Sequence, residues 1–225
     1  MLKDQLFITF EGLDGSGKSS LFEIIGPILR EKSRPPLRLV DKKYPPNFSP
    51  YTDSHIACIR SILWEYPSGA PMGELGDMLW LHLLASWFHV IDNTQIKPAL
   101  AQGDSIFMES WCYKYLVRYR LKSDYMYKAM LTALQSLTQP NPVVFIDIKP
   151  EVAAERKKVF GYSESGGMDG LRGSSKKDFI AYQNTLRDIY LDLAAQHQWI
   201  VIEADNKPLF IIADEVLERL TSHGI

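Results

Sequence analysis

The sequence predicts an α/β domain of three layers, with a mostly parallel sheet of about five strands between helices. Two observations carry this expectation. Short β-rich, almost continuously apolar runs alternate with longer stretches of helical spacing, and such runs suit strands covered on both faces. The 225 residues, 46% hydrophobic and 23% charged, can also bury one substantial core, so a single domain over residues 1–225 is expected.

The first strand is "LFITF" (6–10), followed by a glycine-rich loop. After the loop, Leu21, Ile24, Ile25, Ile28 and Leu29 fall at i, i+3, i+4, i+7 and i+8 and predict an amphipathic helix. Pro27 lies within it and should kink the helix or end it early. The later strands are "LRLV" (37–40), "SIFM" (105–108), "VVFID" (143–147) and "WIVIE" (199–203). The most apolar segment, Met78 to Ile91, is interrupted by His82, Ser86 and His89 and does not read as a membrane span. Between the last two strands, "FGYSESGGMDGLRGSS" (160–175) carries five glycines and few large apolar residues, with Arg156, Lys157 and Lys158 before it and Lys176 and Lys177 after it. Its composition predicts a mobile, exposed segment, either a disordered surface loop or a closing flap. There is no internal repeat and no domain-scale linker.

A formal charge of −2 gives no electrostatic footprint for nucleic acid or an anionic membrane. The opening "MLKDQLFITFEG" lacks a secretory apolar run, and a soluble, cytoplasmic protein is expected. The two cysteines, Cys58 and Cys112, stand far apart, and the five histidines are scattered. Buried reduced thiols are expected, with neither a disulfide framework nor a metal cage.

The chemistry-bearing motif is "FEGLDGSGKSS" (10–20). Gly12, Gly17, Lys18 and Ser19 satisfy G-x-x-x-x-G-K-[ST] directly after a strand and at the start of a helix, the context that a phosphate cradle requires. Glycines, here also Gly15, let backbone N–H groups turn inward around phosphate oxygens, with Ser16 and Ser20 flanking the turn. The helix N-terminus adds its dipole, Lys18 bridges the terminal phosphates and the Ser19 hydroxyl ligates Mg²⁺. A cradle alone does not separate a kinase from a switch GTPase, a motor or a transporter ATPase. There is no "NKxD"-like guanine-reading segment, and the chain is short for a motor. A basic, glycine-rich flap suits a small kinase, which must exclude water while phosphate moves.

The run "FITFEGLDGSGKSS" resembles the opening of the thymidylate kinase family, where a glutamate precedes the loop and an aspartate lies inside it, here Glu11 and Asp14. "QIKPALAQGDSIFMES" (95–110), "VFIDIKPEVAAERKKVFG" (144–161) and the stretch from 179 to 220 agree in order and spacing, so the resemblance covers most of the chain. It implies a P-loop kinase fold with a glycine-rich lid at about 157–177. It also implies transfer of the ATP γ-phosphate to a nucleoside monophosphate with Mg²⁺, a small-molecule acceptor and a homodimer. Lys18 and Ser19 carry over directly, and Asp14 is similar to the family's loop aspartate near the acceptor sugar. Arg156 matches the arginine near adenine, and Ala204 to Lys207 would complete that pocket. With Ser16 in the cradle, one subtype's loop arginine is missing, so the transition-state cation should come from the lid, with Arg172, Lys157 and Lys158 as candidates.

The acceptor side departs from the family. Where Asp-Arg is expected after the third strand, the chain has Glu109-Ser110, which keeps a carboxylate for the Mg²⁺ shell and loses the arginine. Phe88 or His89 takes the place of a helix arginine, and Leu84 or Ala85 that of the stacking aromatic. Lys43 stands where an acceptor-phosphate arginine belongs and is a non-bidentate substitute. Trp87, Phe88, Trp111, Tyr113 and Tyr115 either stack on a base or belong to the core. Lys114, Arg118 and Arg120 either restore positive charge or form a solvated helix face. These changes predict weaker use of dTMP than of some other acceptor. Two further readings stay open: a kinase of nucleoside or other hydroxyl acceptors with Glu109 or Asp14 as base, and a catalytically inactive nucleotide-binding regulatory protein.

Overall fold

The computed structural model describes residues 5–41, 43–44, 49–65, 67, 70–171, 173 and 175–222. Five strands, β1 (Phe7–Gly12), β2 (Leu37–Val40), β3 (Ser105–Met108), β4 (Val143–Asp147) and β5 (Ile200–Glu203), form one sheet in the order β2-β3-β1-β4-β5. Every neighbouring pair is parallel, and on β1 the central Thr9 faces Met108 of β3 and Val143 of β4. The helices are α1 (Lys18–Lys32), α2 (Pro50–Trp64), α3 (Gly76–Ile91), α4 (Lys97–Ala101), α5 (Tyr113–Lys122), α6 (Asp124–Leu134), α7 (Pro150–Glu155), α8 (Lys176–Gln196) and α9 (Leu209–Ser222).

Side chains alternate across a strand, and the core divides accordingly. Ile8, Phe10, Phe107, Val144 and Ile146 join one cluster with Leu21, Ile25 and Leu29 of α1 and Ile212, Val216 and Leu220 of α9. Phe7, Ile106, Met108, Val143 and Phe145 join the other with α3, α5, α6 and α8. The sheet is therefore covered on both faces, as the continuous apolar runs require. In open parallel sheets the ligand crevice lies at the carboxyl ends of the strands. Here that edge brings together the loop after β1 and the residues after β3.

Four details differ from the sequence expectations. Helix α1 runs through Pro27 to Lys32; Glu23 and Pro27 lie on its exposed face, so the carbonyl deprived of its donor is on the solvent side. On the same helix Ile24 is 39% exposed, and Gly26, pressed against Leu39, takes a buried place instead. Cys112 is buried but Cys58 is exposed.

The glycine-rich segment is the largest departure. Its described residues fold into two short 3₁₀ turns, Ser163–Ser165 and Gly167–Asp169, with Ser165 fully buried. A Cβ at Gly166, where φ is +83°, would meet Leu171 at 2.6 Å and Tyr182 at 2.8 Å, and one at Gly167 would enter the Tyr162 ring at 2.2 Å. These glycines serve close packing against neighbouring side chains. Ser175 and Asp178 then close a capping box that starts α8.

Candidate active site

The loop after β1 is held by what lies beneath it. At Gly12 φ is +152°, and an added Cβ would stand 2.7 Å from the Ile146 carbonyl of β4. Any side chain there would force the loop off the sheet. Helix α1 begins at once behind Gly17 without a side-chain cap, so its leading N–H groups are left to an anion. Lys18 folds back over the loop, its Nζ donating to the carbonyls of Gly12 (2.9 Å) and Leu13 (2.6 Å) and to Ser16 Oγ (3.2 Å).

Next to it, Ser19 Oγ donates to Glu109 Oε1 at 2.7 Å. A hydroxyl and a carboxylate side by side at a phosphate loop are the hard-oxygen donors that Mg²⁺ takes from a protein, the rest of its shell coming from phosphates and water. Among the described residues no group of three or more His, Cys, Asp or Glu is placed to hold a metal ion.

Asp14, inside the loop, is gripped by Lys114 of α5, whose Nζ donates to Oδ1 at 2.7 Å and Oδ2 at 2.9 Å. Gln183 of α8 accepts from the Asp14 backbone N–H at 3.3 Å. Burial alone would push the Asp14 carboxyl up, but Lys114 and then Lys18 more than reverse this and hold it well below the usual carboxylate range. Burial would likewise lower Lys114, and Asp14 overcomes it, leaving the ammonium above its ordinary value. The pair is therefore ionised throughout the neutral range.

One cleft of about 780 Å³ unites these groups. It is lined by Gly12, Asp14, Gly15, Gly17, Lys18, Ser19, Ser20, Glu109 and Ser110 at the loop, by Lys43, and by Arg156 and Lys157. Arg156 donates to the Ala204 carbonyl at 3.3 Å, which joins it to the segment expected to complete an adenine pocket. Lys157 pairs with Glu164 at 3.0 Å, and its Cδ would touch a Cβ on Gly15 at 3.4 Å, so this cation rests against the phosphate loop. Lys158 is exposed and does not line the cleft. Arg172 lies outside the described residues.

Three expected acceptor residues are elsewhere. Trp111 is fully buried, packed edge-on against Phe7 and Phe88, because the chain after Ser110 turns into the core. Tyr113 packs on Trp199, and its hydroxyl reaches Gln139. His89 bonds the Ala133 carbonyl in a separate groove between α3 and α6. Trp87 and Phe88 are core as well. Leu84 and Tyr115 do line the cleft, with Trp64, Trp80 and Tyr119, which the sequence reading missed.

The basic residues of α5 resolve in an instructive way. Lys114, Arg118 and Lys122, at i, i+4 and i+8, all line the cleft, whereas Arg120 turns away to Asp192. Lys122 was legible from that spacing. Asp169, which pairs with both Arg118 and Lys122, left no local signal.

The thymidylate kinase family model matches residues 10–215. Thymidylate kinases of Chlorobium chlorochromatii, 29% identical with 97% of each chain covered, and Dinoroseobacter shibae, 30% identical with 95% of each, are similar over nearly the whole length. The solved structure of thymidylate kinase from Candida albicans superposes with a TM-score of 0.70 over 98% of this chain and 92% of that one, at 19% identity, a likeness of fold.

Two predictions follow from this geometry. Lys18→Ala should melt cooperatively near the wild-type temperature yet lose about a thousandfold or more in phosphoryl transfer, because its ammonium acts on charge that develops in the reaction; circular dichroism and single-turnover assays on one preparation check this. The second concerns pH. A depressed Asp14 contributes stability that is complete above the ordinary carboxylate range and lost only as pH falls towards its folded value. The raised Lys114 contributes below the ordinary lysine range and loses it only as pH rises through its higher folded value. The destabilisation caused by Asp14→Asn should therefore stay constant from about pH 5.5 to pH 9 and shrink only in stronger acid or base, measured as the difference in Tm from wild type.

Proposed function

The chain belongs to the thymidylate kinase family, and from that premise we propose that it transfers the γ-phosphate of ATP to a nucleoside monophosphate, with dTMP as the acceptor. The observation that carries the reading is the single cleft in which Lys18, Ser19 and Glu109 lie at one part and an aromatic and aliphatic recess of Trp64, Trp80, Leu84 and Tyr119 at another. A phosphate donor and a flat acceptor can meet there within one space.

In this reading the loop N–H groups and Lys18 hold the donor's terminal phosphates, and Ser19 and Glu109 hold Mg²⁺. Mg²⁺, when bound, neutralises charge on the phosphates. Arg156 and the Ala204–Lys207 segment take the adenine, and Lys157 supplies the cation nearest the loop from the lid side, with Arg172 as a second candidate. An oxygen of the acceptor phosphate forms a bond to the γ-phosphorus as the bond to the ADP oxygen breaks. Lys43 lines the cleft, stands 5.9 Å from the Trp64 ring and has no carboxylate partner among the described residues, so it is assigned to the acceptor phosphate. The cations of α5 and the likeness to thymidylate kinases along the whole chain weigh against the poor use of dTMP that the altered contacts predict. Hydroxyl-acceptor chemistry has less support, because Asp14 is committed to Lys114 and Glu109 to Ser19. Intact Lys18, Ser19 and Glu109 argue against an inactive regulatory protein.

Cys58 and Cys112 are thiols not joined to each other, which suits a reducing, cytoplasmic setting, and among the described residues no helix is long and apolar enough to cross a membrane. A homodimer is proposed on exposed apolar side chains of the neighbouring helices α2, α3 and α6, namely Ile62, Met78, Leu79, Tyr125 and Leu131.

With γ-labelled ATP, label should appear in dTDP when dTMP is supplied; no labelled product from any nucleoside monophosphate would end this reading. Sedimentation velocity should give the mass of two chains at micromolar concentration, and a single-chain mass would remove the dimer.

A further inference from the structure

The buried face of α8 carries one amide. Phe179, Tyr182, Leu186 and Tyr190 pack into the two core clusters, and among them lies Gln183, with no exposure to solvent. An amide in that place costs stability unless its groups are bonded. Its Oε1 accepts from the Asp14 backbone N–H at 3.3 Å, and its Nε2 donates to the Glu164 carbonyl at 2.8 Å and, at 3.5 Å, to Asp14 Oδ2. One side chain thus ties the phosphate loop to the first turn of the glycine-rich segment.

Glu164 extends that tie into the cleft, which it lines. Its Oε2 accepts from the Gly161 backbone N–H at 3.0 Å, which fixes the carboxylate on its own turn, and its Oε1 holds Lys157 Nζ at 3.0 Å. Lys157 lies against Gly15, the residue after Asp14, with its Nζ 6.0 Å from the centre of the Phe179 ring. The path from Asp14 through Gln183, Glu164 and Lys157 therefore returns to the loop it left. An ammonium has three N–H donors, and with one on Glu164 two remain for phosphate oxygens.

Charge alone gives Glu164 no reason to be there. A carboxylate beside a site for phosphates repels them and weakens nucleotide binding unless it serves the transfer itself. Lysine is a point charge on a flexible four-carbon stem, and a group misplaced by about 1 Å can cost about a hundredfold in rate. Anchoring supplies the missing reason. Glu164 and Gln183 place the ammonium by reference to the loop that holds the phosphates, so a small shift of that loop carries the cation with it.

This inference rests on the kinase reading above, in which Lys157 is the cation nearest the loop. We propose that Glu164 and Gln183 are positioning residues for phosphoryl transfer, acting through Lys157 and not through nucleotide binding. Glu164 aims the ammonium, and Gln183 sets the distance between the segment and the phosphate loop.

The test is a double-mutant cycle on kcat, with ATP and the nucleoside monophosphate that the wild type turns over fastest. Lys157→Met should lower kcat by about a hundredfold. Glu164→Gln keeps the shape and removes the charge; it should lower kcat by about tenfold or more while the KM for ATP stays level or falls, since a repelling charge has gone. In the Lys157→Met background the same substitution should change kcat by about twofold or less, because no ammonium is left to aim. Gln183→Leu should repeat this pattern, and where circular dichroism shows that it does not fold, the Glu164 cycle carries the test alone. A full loss from Glu164→Gln in both backgrounds, or a KM for ATP that rises as kcat falls, would show that Glu164 merely holds the shape of the segment and would overturn the proposal. A Lys157→Met enzyme as fast as the wild type would overturn it too. Those outcomes leave the kinase reading standing. A wild type that phosphorylates no nucleoside monophosphate is a different result: it removes that reading and this proposal together.

Discussion

A carboxylate with no exposure to solvent holds the catalytic edge in register. Glu11, the last side chain of β1 before the loop, accepts from the Trp111 backbone N–H at 2.8 Å, from Ser110 Oγ at 3.4 Å and from the Tyr190 phenol at 3.4 Å. Burial, reinforced by Glu11 itself, pushes the Tyr190 phenol well above its ordinary value and keeps it a donor. One side chain thereby joins β1, the turn after β3 and α8. The separation of Ser19 from Glu109 depends on that turn, and so does the start of α5, from which Lys114 and Arg118 project. A buried acceptor is costly unless its donors are supplied, so the arrangement is all-or-none and fixes the turn more firmly than packing alone.

Above this foundation, the cations of the cleft each have an assigned place. Lys18 rests on loop carbonyls, Lys114 on Asp14, Lys157 on Glu164 and Arg118 on Asp169. Half-buried cations without partners would be expelled or neutralised, so internal partners are what keep positive charge concentrated along one wall of a chain whose net charge is −2. The wall follows from helical spacing on α5, and its alignment follows from the glycine-rich segment.

Much of this was legible in the sequence. The strand boundaries agree within a residue or two, because apolar runs between glycine and proline punctuation leave little room for another reading. The phosphate loop was legible because its chemistry is local: Lys18 and Ser19 act within a few residues of Gly12. The acceptor wall was not. Trp111, Tyr113 and His89 have the right chemical type for a binding pocket, but Trp111 and Tyr113 are turned to the core by the backbone after Glu11 captures Trp111, and His89 is turned to Ala133 of α6 by the packing of α3. The glycine-rich segment misled for a related reason. Glycine signals mobility when nothing packs against it and close packing when an aromatic ring does, and the rings of Tyr162 and Tyr182 come together only in the fold. Asp169, fifty-one residues from Arg118, is a tertiary partner without a local pattern.

The central claim is that one cleft accommodates donor and acceptor end to end, with the phosphates between Lys18 and Lys43. Calorimetric titration with a bisubstrate nucleotide, adenosine and thymidine joined through five phosphates, tests it most directly. Two sites joined in one cleft predict a Kd at least about a hundredfold tighter than that of ATP or dTMP alone, as expected when a second contact becomes intramolecular. Binding no tighter than ATP alone would contradict a shared cleft.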